Sequence, residues 1–154
     1  MSEFCLPVRV YYEDTDAAGV VYYANYLRFI ERARTDWLRT LGVDQGALMQ
    51  SHGIAFAVRA LEADYFKPGR LDDELMVRST LEEVGRAQVV FRQNVMRGEE
   101  LLFSARVRVV SFDPATARAA AIPKAVQEKF KEMLSERSER VEGKAPGAEQ
   151  PECT

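Results

Sequence analysis

One amphipathic stretch limits what this chain can fold into. Tyr26, Phe29, Ile30, Ala33, Trp37, Leu38 and Leu41 recur three and four residues apart, while Arg28, Glu31, Arg32, Arg34, Thr35, Asp36 and Arg39 fill the other side. That is the period of a helix with one apolar stripe, and Gly42 is its natural stop. Such a helix, roughly 17 residues and about 25 Å long at 1.5 Å per residue, would run the length of a small sheet. A stripe of that size has to be covered, and the rest of the chain supplies strands to cover it. A short strand is expected at Val8 to Tyr12, and a short second helix or structured loop at Asp44 to His52. Strand-like runs follow at Ala55 to Tyr65, Glu74 to Val84, Gln88 to Met96 and Leu101 to Phe112. The breaks between them, Lys67-Pro68-Gly69-Arg70, Gly85-Arg86 and Arg97-Gly98, are hairpin-like, and Asp113-Pro114 closes the last run. One face of the middle strands is largely apolar through Leu75, Val77, Ser79, Leu81 and through Val89, Phe91, Gln93, Val95, whereas the other carries Arg78, Arg92 and Asn94. The expected class is α+β, an antiparallel sheet wrapped around one long helix.

At 154 residues and 47% hydrophobic, the chain can build one continuous core but not a catalytic domain plus a separate cofactor domain. The domain is expected over residues 1–134, with a terminal helix at Pro123 to Leu134. Residues 135–154, rich in Glu, Pro, Gly and Ala, are expected to be a disordered tail. Of the net charge of −3, that tail carries −2, from three basic and five acidic residues, which leaves the body near neutral. A near-neutral body argues against nucleic-acid binding. Cys5 and Cys153 show no CxxC spacing and no nearby histidine, so neither a disulfide framework nor a zinc site is indicated, and a reducing compartment fits best. Without a leader pattern or a membrane-length apolar segment, the protein is expected to be soluble, cytoplasmic and not inserted in a membrane.

Between the first strand and the long helix, Glu13, Asp14 and Asp16 place three carboxylates within four residues. Asp-x-Asp before Gly19 reads either as a turn and helix cap or as a carboxylate facing the free N–H groups of a helix start, where a developing oxyanion would be held. A calcium loop is disfavoured, because aligning Asp14 and Asp16 to the first and third ligand positions leaves Ala18 and Asn25 at the fifth and twelfth. The unusually apolar run Gly19-Val20-Val21-Tyr22-Tyr23 after three acids suits a wall that excludes water.

At these residues the chain resembles the 4-hydroxybenzoyl-CoA thioesterase branch of the hotdog-fold superfamily, and most closely the Tol-Pal-associated, YbgC-like acyl-CoA thioesterases. The resemblance rests on Arg9 to Asp16, Gly19 to Tyr22, Ala24-Asn25-Tyr26, Phe29 to Arg34, Lys67-Pro68 and Leu71-Asp72-Asp73, in order, and spans roughly residues 7 to 130. It implies five antiparallel strands around a central helix, and homo-oligomers, dimers or dimers of dimers (homotetramers), with active sites across the dimer interface. It implies an acyl-CoA thioesterase that needs no metal or redox cofactor, with Asp16 as nucleophile or general base and the Tyr23 backbone N–H polarising the thioester carbonyl. Many YbgC-like proteins carry histidine where this chain has Tyr23, whereas the 4-hydroxybenzoyl branch carries tyrosine. A backbone donor survives that exchange and an imidazole role does not. The rival reading is a non-catalytic hotdog module that binds acyl carriers or proteins.

Coenzyme A would need cations for its phosphates, and Lys67, Arg70, Arg86 and Arg118 stand at loop or strand-edge positions that suit this. His52, the single histidine, reads as a surface or packing residue, and no GxSxG elbow is present. Glu31 reads as a solvated or Arg-paired helix residue, and Asp14 as a support for the turn.

Overall fold

The long amphipathic segment forms helix α1 over Asn25–Thr40, one residue short at its C-terminal end of the expected span. In the computed structural model the described residues are 2–143, with side chains described to residue 134. A short helix α2, Gln45–His52, follows, and the Asp44 side chain caps it by accepting from the Ala47 N–H. Strands β2 (Ala55–Tyr65) and β3 (Glu74–Val84) occupy the expected spans. Strands β4 (Gln88–Arg97) and β5 (Glu100–Asp113) exceed them by a residue or two. A two-residue strand β6, Arg118–Ala119, pairs with β5 and was not foreseeable from so short a run.

Strand β1 departs from expectation, running over Glu3–Arg9 rather than Val8 to Tyr12. Pro7 lies within β1 and is tolerated because β1 pairs only with β3, at the edge of the sheet, where a missing N–H disturbs no ladder. The order β1-β3-β4-β5-β2 is antiparallel throughout. The apolar stripe of α1 (Tyr26, Phe29, Ile30, Ala33, Trp37) is buried against Leu75, Val77, Phe91, Val95, Phe103 and Val107, so the sheet wraps α1 in the hotdog arrangement.

Burial of α1 has one polar feature that the periodicity misassigns. Arg34, on the nominally polar side, is buried, and its guanidinium donates to Gln93 Oε1 at 2.8 Å. Gln93 in turn donates to Ile30 O and to Ser79 Oγ, both at 2.9 Å. Burial lowers the Arg34 value from its usual range, with Glu31 opposing that shift. Arg34, Gln93 and Ser79 thus satisfy one another, which is the condition for tolerating them in a core.

The terminal helix α3 begins at Lys124 and continues in its backbone to Gly143, past the expected end at Leu134. Residues 144–154, the remainder of the expected tail, lie outside the described residues. Cys5 lies within β1, and Cys153 lies outside the described residues. No helix of the described residues is long and apolar enough to cross a membrane.

Candidate active site

The acidic segment folds as two stacked turns between β1 and α1. Tyr12–Asp14 form a single turn of 3-10 helix, so Glu13 lies in a turn rather than at the end of a strand. The buried Asp14 carboxylate accepts from the Tyr11 N–H and from Asn25 Nδ2, each at 2.9 Å, and the Asp14 carbonyl accepts from the Tyr22 N–H at 2.8 Å. Asp14 therefore ties the turn to the first residue of α1, with one hydrogen bond to each carboxylate oxygen.

Asp16 is exposed, and a second, tighter turn presents it. Its N–H donates to Val20 O at 2.9 Å, and its Oδ1 accepts from the Ala18 N–H at 2.8 Å. Gly19 donates back to Asp16 O at 3.0 Å, with φ at +77°, in the left-handed region that favours glycine. Thr15 and Val21 close the turn as a bridge pair, and Val20 pairs with Arg70. Beneath it, Val21 donates to Gly69 O at 2.8 Å while the Gly69 N–H donates to the Tyr26 hydroxyl at 2.9 Å. A Cβ at Gly69 would lie 3.0 Å from Val21 Cγ2, so glycine is needed for this close approach. Arg97 braces the same loop by donating to Asp73 Oδ2 at 2.8 Å and to Pro68 O at 3.2 Å.

At the start of α1, the Tyr22 N–H is taken by Asp14 and the Tyr22 carbonyl accepts from the Asn25 N–H at 2.8 Å. The Tyr23 N–H between them has no acceptor among the described residues. A free backbone N–H at a helix start is the donor type that stabilises an oxyanion. Tyr23 lines a cavity of about 230 Å³ together with Val21, Tyr26, Tyr65, Phe66, Lys67 and Pro68. Asp16 stands on the turn leading into Tyr23 and is not part of that lining.

The four cations divide into two pairs. Lys67 lines the cavity and bonds Glu100 at 3.1 Å, and Arg70 faces the Asp16 turn through its pairing with Val20. Arg118 pairs with Asp113 at the far end of β5, ten residues from Phe103, which pairs with Tyr65. At about 3.3 Å per residue, that is roughly 33 Å away. Arg86, in the β3–β4 turn, lies at that same far end, where its carbonyl accepts from the Ile122 N–H. Within one chain, then, Lys67 and Arg70 approach Asp16 and Tyr23, and Arg86 and Arg118 do not. His52 is exposed at the end of α2, beside Ser51 Oγ at 2.8 Å, and Glu31 pairs with Arg34. Three residues that shape the site carry no catalytic signal of their own in sequence: Asn25, Tyr65 and Gly69.

Against known proteins, the chain matches the thioesterase-like superfamily over residues 10–130. It is 47% identical over 127 residues to the acyl-CoA thioesterase YbgC of Haemophilus influenzae, covering 82% of this chain and 93% of that protein. The acyl-CoA thioester hydrolase YbgC of Escherichia coli is 45% identical over 130 residues, 84% of this chain and 96% of its own. Among solved structures, a probable thioesterase from Bartonella henselae superposes with a TM-score of 0.75 at 30% identity, covering 79% of this chain and 99% of that one.

Proposed function

The chain belongs to the thioesterase-like superfamily and is a thioester hydrolase, and on that premise we propose that it hydrolyses acyl-CoA thioesters with Asp16 and the Tyr23 N–H as its catalytic groups. The observation that carries the reading is the Tyr23 N–H, left without an acceptor among the described residues at the mouth of an aromatic cavity, one turn after an exposed carboxylate. A thioester carbonyl oxygen at the Tyr23 N–H gains a donor that strengthens as the oxygen becomes an oxyanion. Asp16 either attacks the carbonyl carbon or takes a proton from the water that does. In the first route the C–S bond breaks, coenzyme A leaves as its thiolate, and water then cleaves the acyl-aspartyl anhydride to the free acid and Asp16; in the second the water oxygen bonds to the carbonyl carbon as the C–S bond breaks, giving the free acid and the thiolate directly. The relatives' names support coenzyme A as the carrier.

A second copy of the chain completes this reading. The outer edge of β2 is unpaired among the described residues, and Val58 and Leu61 are 49% and 40% exposed there. Such a long edge without proline invites pairing with another strand, whereas β1 is short and carries Pro7. Twofold antiparallel pairing of two β2 edges sets the Ala55 end of one beside the Tyr65 end of the other. The partner subunit's Arg86 and the partner subunit's Arg118 would then come to the end that holds Asp16 and Tyr23, which unites the two pairs of cations around one coenzyme A.

The test is a panel of acyl-CoAs of graded chain length and aromatic character, read by release of free thiol, for the parent and Asp16→Asn. The proposal expects turnover by the parent and a loss on the order of 10²- to 10⁴-fold in the variant. Turnover of the variant within a few-fold of the parent would overturn it.

A further inference from the structure

The Tyr65 hydroxyl, at the last residue of β2, donates to the Tyr23 carbonyl oxygen at 2.9 Å, across 42 positions of sequence. The helix ladder leaves that carbonyl to it. In a regular α-helix the Leu27 N–H would reach back to Tyr23, but here it donates to Ala24 O at 3.1 Å. The preceding carbonyl, Tyr22 O, is held by the Asn25 N–H at 2.8 Å. The peptide planes on either side of the Tyr23 α-carbon are thus fixed from two directions, one from within α1 and one from β2.

The Tyr65 ring is held independently of its hydroxyl. It stands edge-on to Phe103 at 5.0 Å, Tyr26 at 5.6 Å and Tyr23 at 6.4 Å between centroids. Removing the oxygen alone would leave that packing in place. Burial, and after it the neighbouring Tyr23 and Tyr26, push the phenol above its ordinary 10, so its proton is available for donation through the neutral range.

We infer that Tyr65 is a positioning residue for the Tyr23 N–H, fixing the peptide on the far side of the donor so that the N–H is aimed before the thioester arrives. The inference rests on the reading of the Tyr23 N–H as the oxyanion donor. An oxyanion hole acts through preorganisation, so a loosened donor slows the chemical step and leaves substrate binding alone. A neutral hydrogen bond at this exposed position gives an effect of moderate size.

The experiment compares the parent, Tyr65→Phe, the same position carrying p-aminophenylalanine, and Asp16→Asn, with kcat, KM and Tm measured on one acyl-CoA. Tyr65→Phe is expected to lose on the order of 3- to 10-fold in kcat, with KM within about twofold and Tm within about 2 °C of the parent. The p-amino group, which restores a donor, is expected to recover most of the loss. A Tyr65→Phe enzyme with parental kcat, a loss confined to KM or Tm, or no recovery with the amino analogue would each overturn the positioning role. An active Asp16→Asn enzyme would overturn the reading of the site itself and the positioning role with it. An inactive Asp16→Asn beside a silent Tyr65→Phe would overturn the positioning role alone.

Discussion

Replacing Asn25 by alanine tests the clasp that holds the Asp16 turn against α1. Asp14 and Asn25 are 7% and 8% exposed, and the bond between them is 2.9 Å long, so water has little access to replace a lost donor. A hydrogen bond to a charged acceptor contributes about 1.5–3 kcal/mol. Here the lower part of that range applies, because Asp14 keeps the Tyr11 N–H. Alanine in place of asparagine in the first turn of α1 returns a few tenths of a kcal/mol in helix propensity, which leaves a net cost of about 1–2 kcal/mol. For a domain of this size, that lowers Tm by roughly 2–8 °C. Thermal unfolding followed by circular dichroism measures it directly, and a double-mutant cycle with Asp14→Ala isolates the pair. The cycle should be non-additive by about 1 kcal/mol or more, because each single variant already removes the shared bond. Since the clasp encloses both Asp16 and Tyr23, kcat should also fall at temperatures well below the new Tm. A Tm within about 1 °C of the parent, or strict additivity in the cycle, would refute the clasp.

Two further outcomes follow from the charges and the sheet edge. Burial pushes the Asp73 carboxyl up, but its Arg97 bond, the Arg70 N–H and the charges of both arginines outweigh that and hold it below its ordinary 3.8. Glu82, between Arg92 and Arg106, is likewise held below 4.5 despite burial, and Glu100 is lowered chiefly by its bond to Lys67 and then by Arg97. With folded values below unfolded ones, the stabilisation is complete above the ordinary carboxylate range and is lost as pH falls through the depressed values. Tm should be level from neutrality to about pH 5 and fall below about pH 4.5; a Tm unchanged down to about pH 3.5 would contradict this. Leu61→Lys puts a charge on the exposed edge of β2 and should convert a dimer into a monomer by sedimentation velocity, with loss of activity at the same concentration. A variant that stays dimeric and active would place the interface elsewhere.

Much of the fold was legible because its signals are local and periodic. The spans of β2 and β3 and the start of α1 follow from alternation, from three-and-four spacing and from the glycine and proline breaks around them. Strand β1 was misplaced because the meaning of Pro7 depends on whether its strand is an edge, which is a property of the whole sheet. Arg34 was assigned to solvent because helical periodicity cannot foresee that Gln93 and Ser79 meet it in the core. At the site, Asp-x-Asp before Gly19 stands out by residue type and Asp14 already reads as a support for the turn, but the partners that make it one, the Tyr11 N–H and Asn25 Nδ2, become visible only in the fold. The contacts of Tyr65 with Tyr23 and of Gly69 with Val21 join residues more than forty positions apart, beyond the reach of any local pattern. The separation of Arg86 and Arg118 from Asp16 has the same origin: all four cations look equivalent as loop residues until the strand register places them.

The central claim is that Asp16 acts in the chemical step rather than in holding the turn or the substrate. Single-turnover hydrolysis of an acyl-CoA by Asp16→Asn, with the dissociation constant measured on the same preparation, tests it most directly. Parental Tm and binding within a few-fold are expected, with the hydrolytic rate lower by on the order of 10²- to 10⁴-fold. A single-turnover rate within a few-fold of the parent would contradict it.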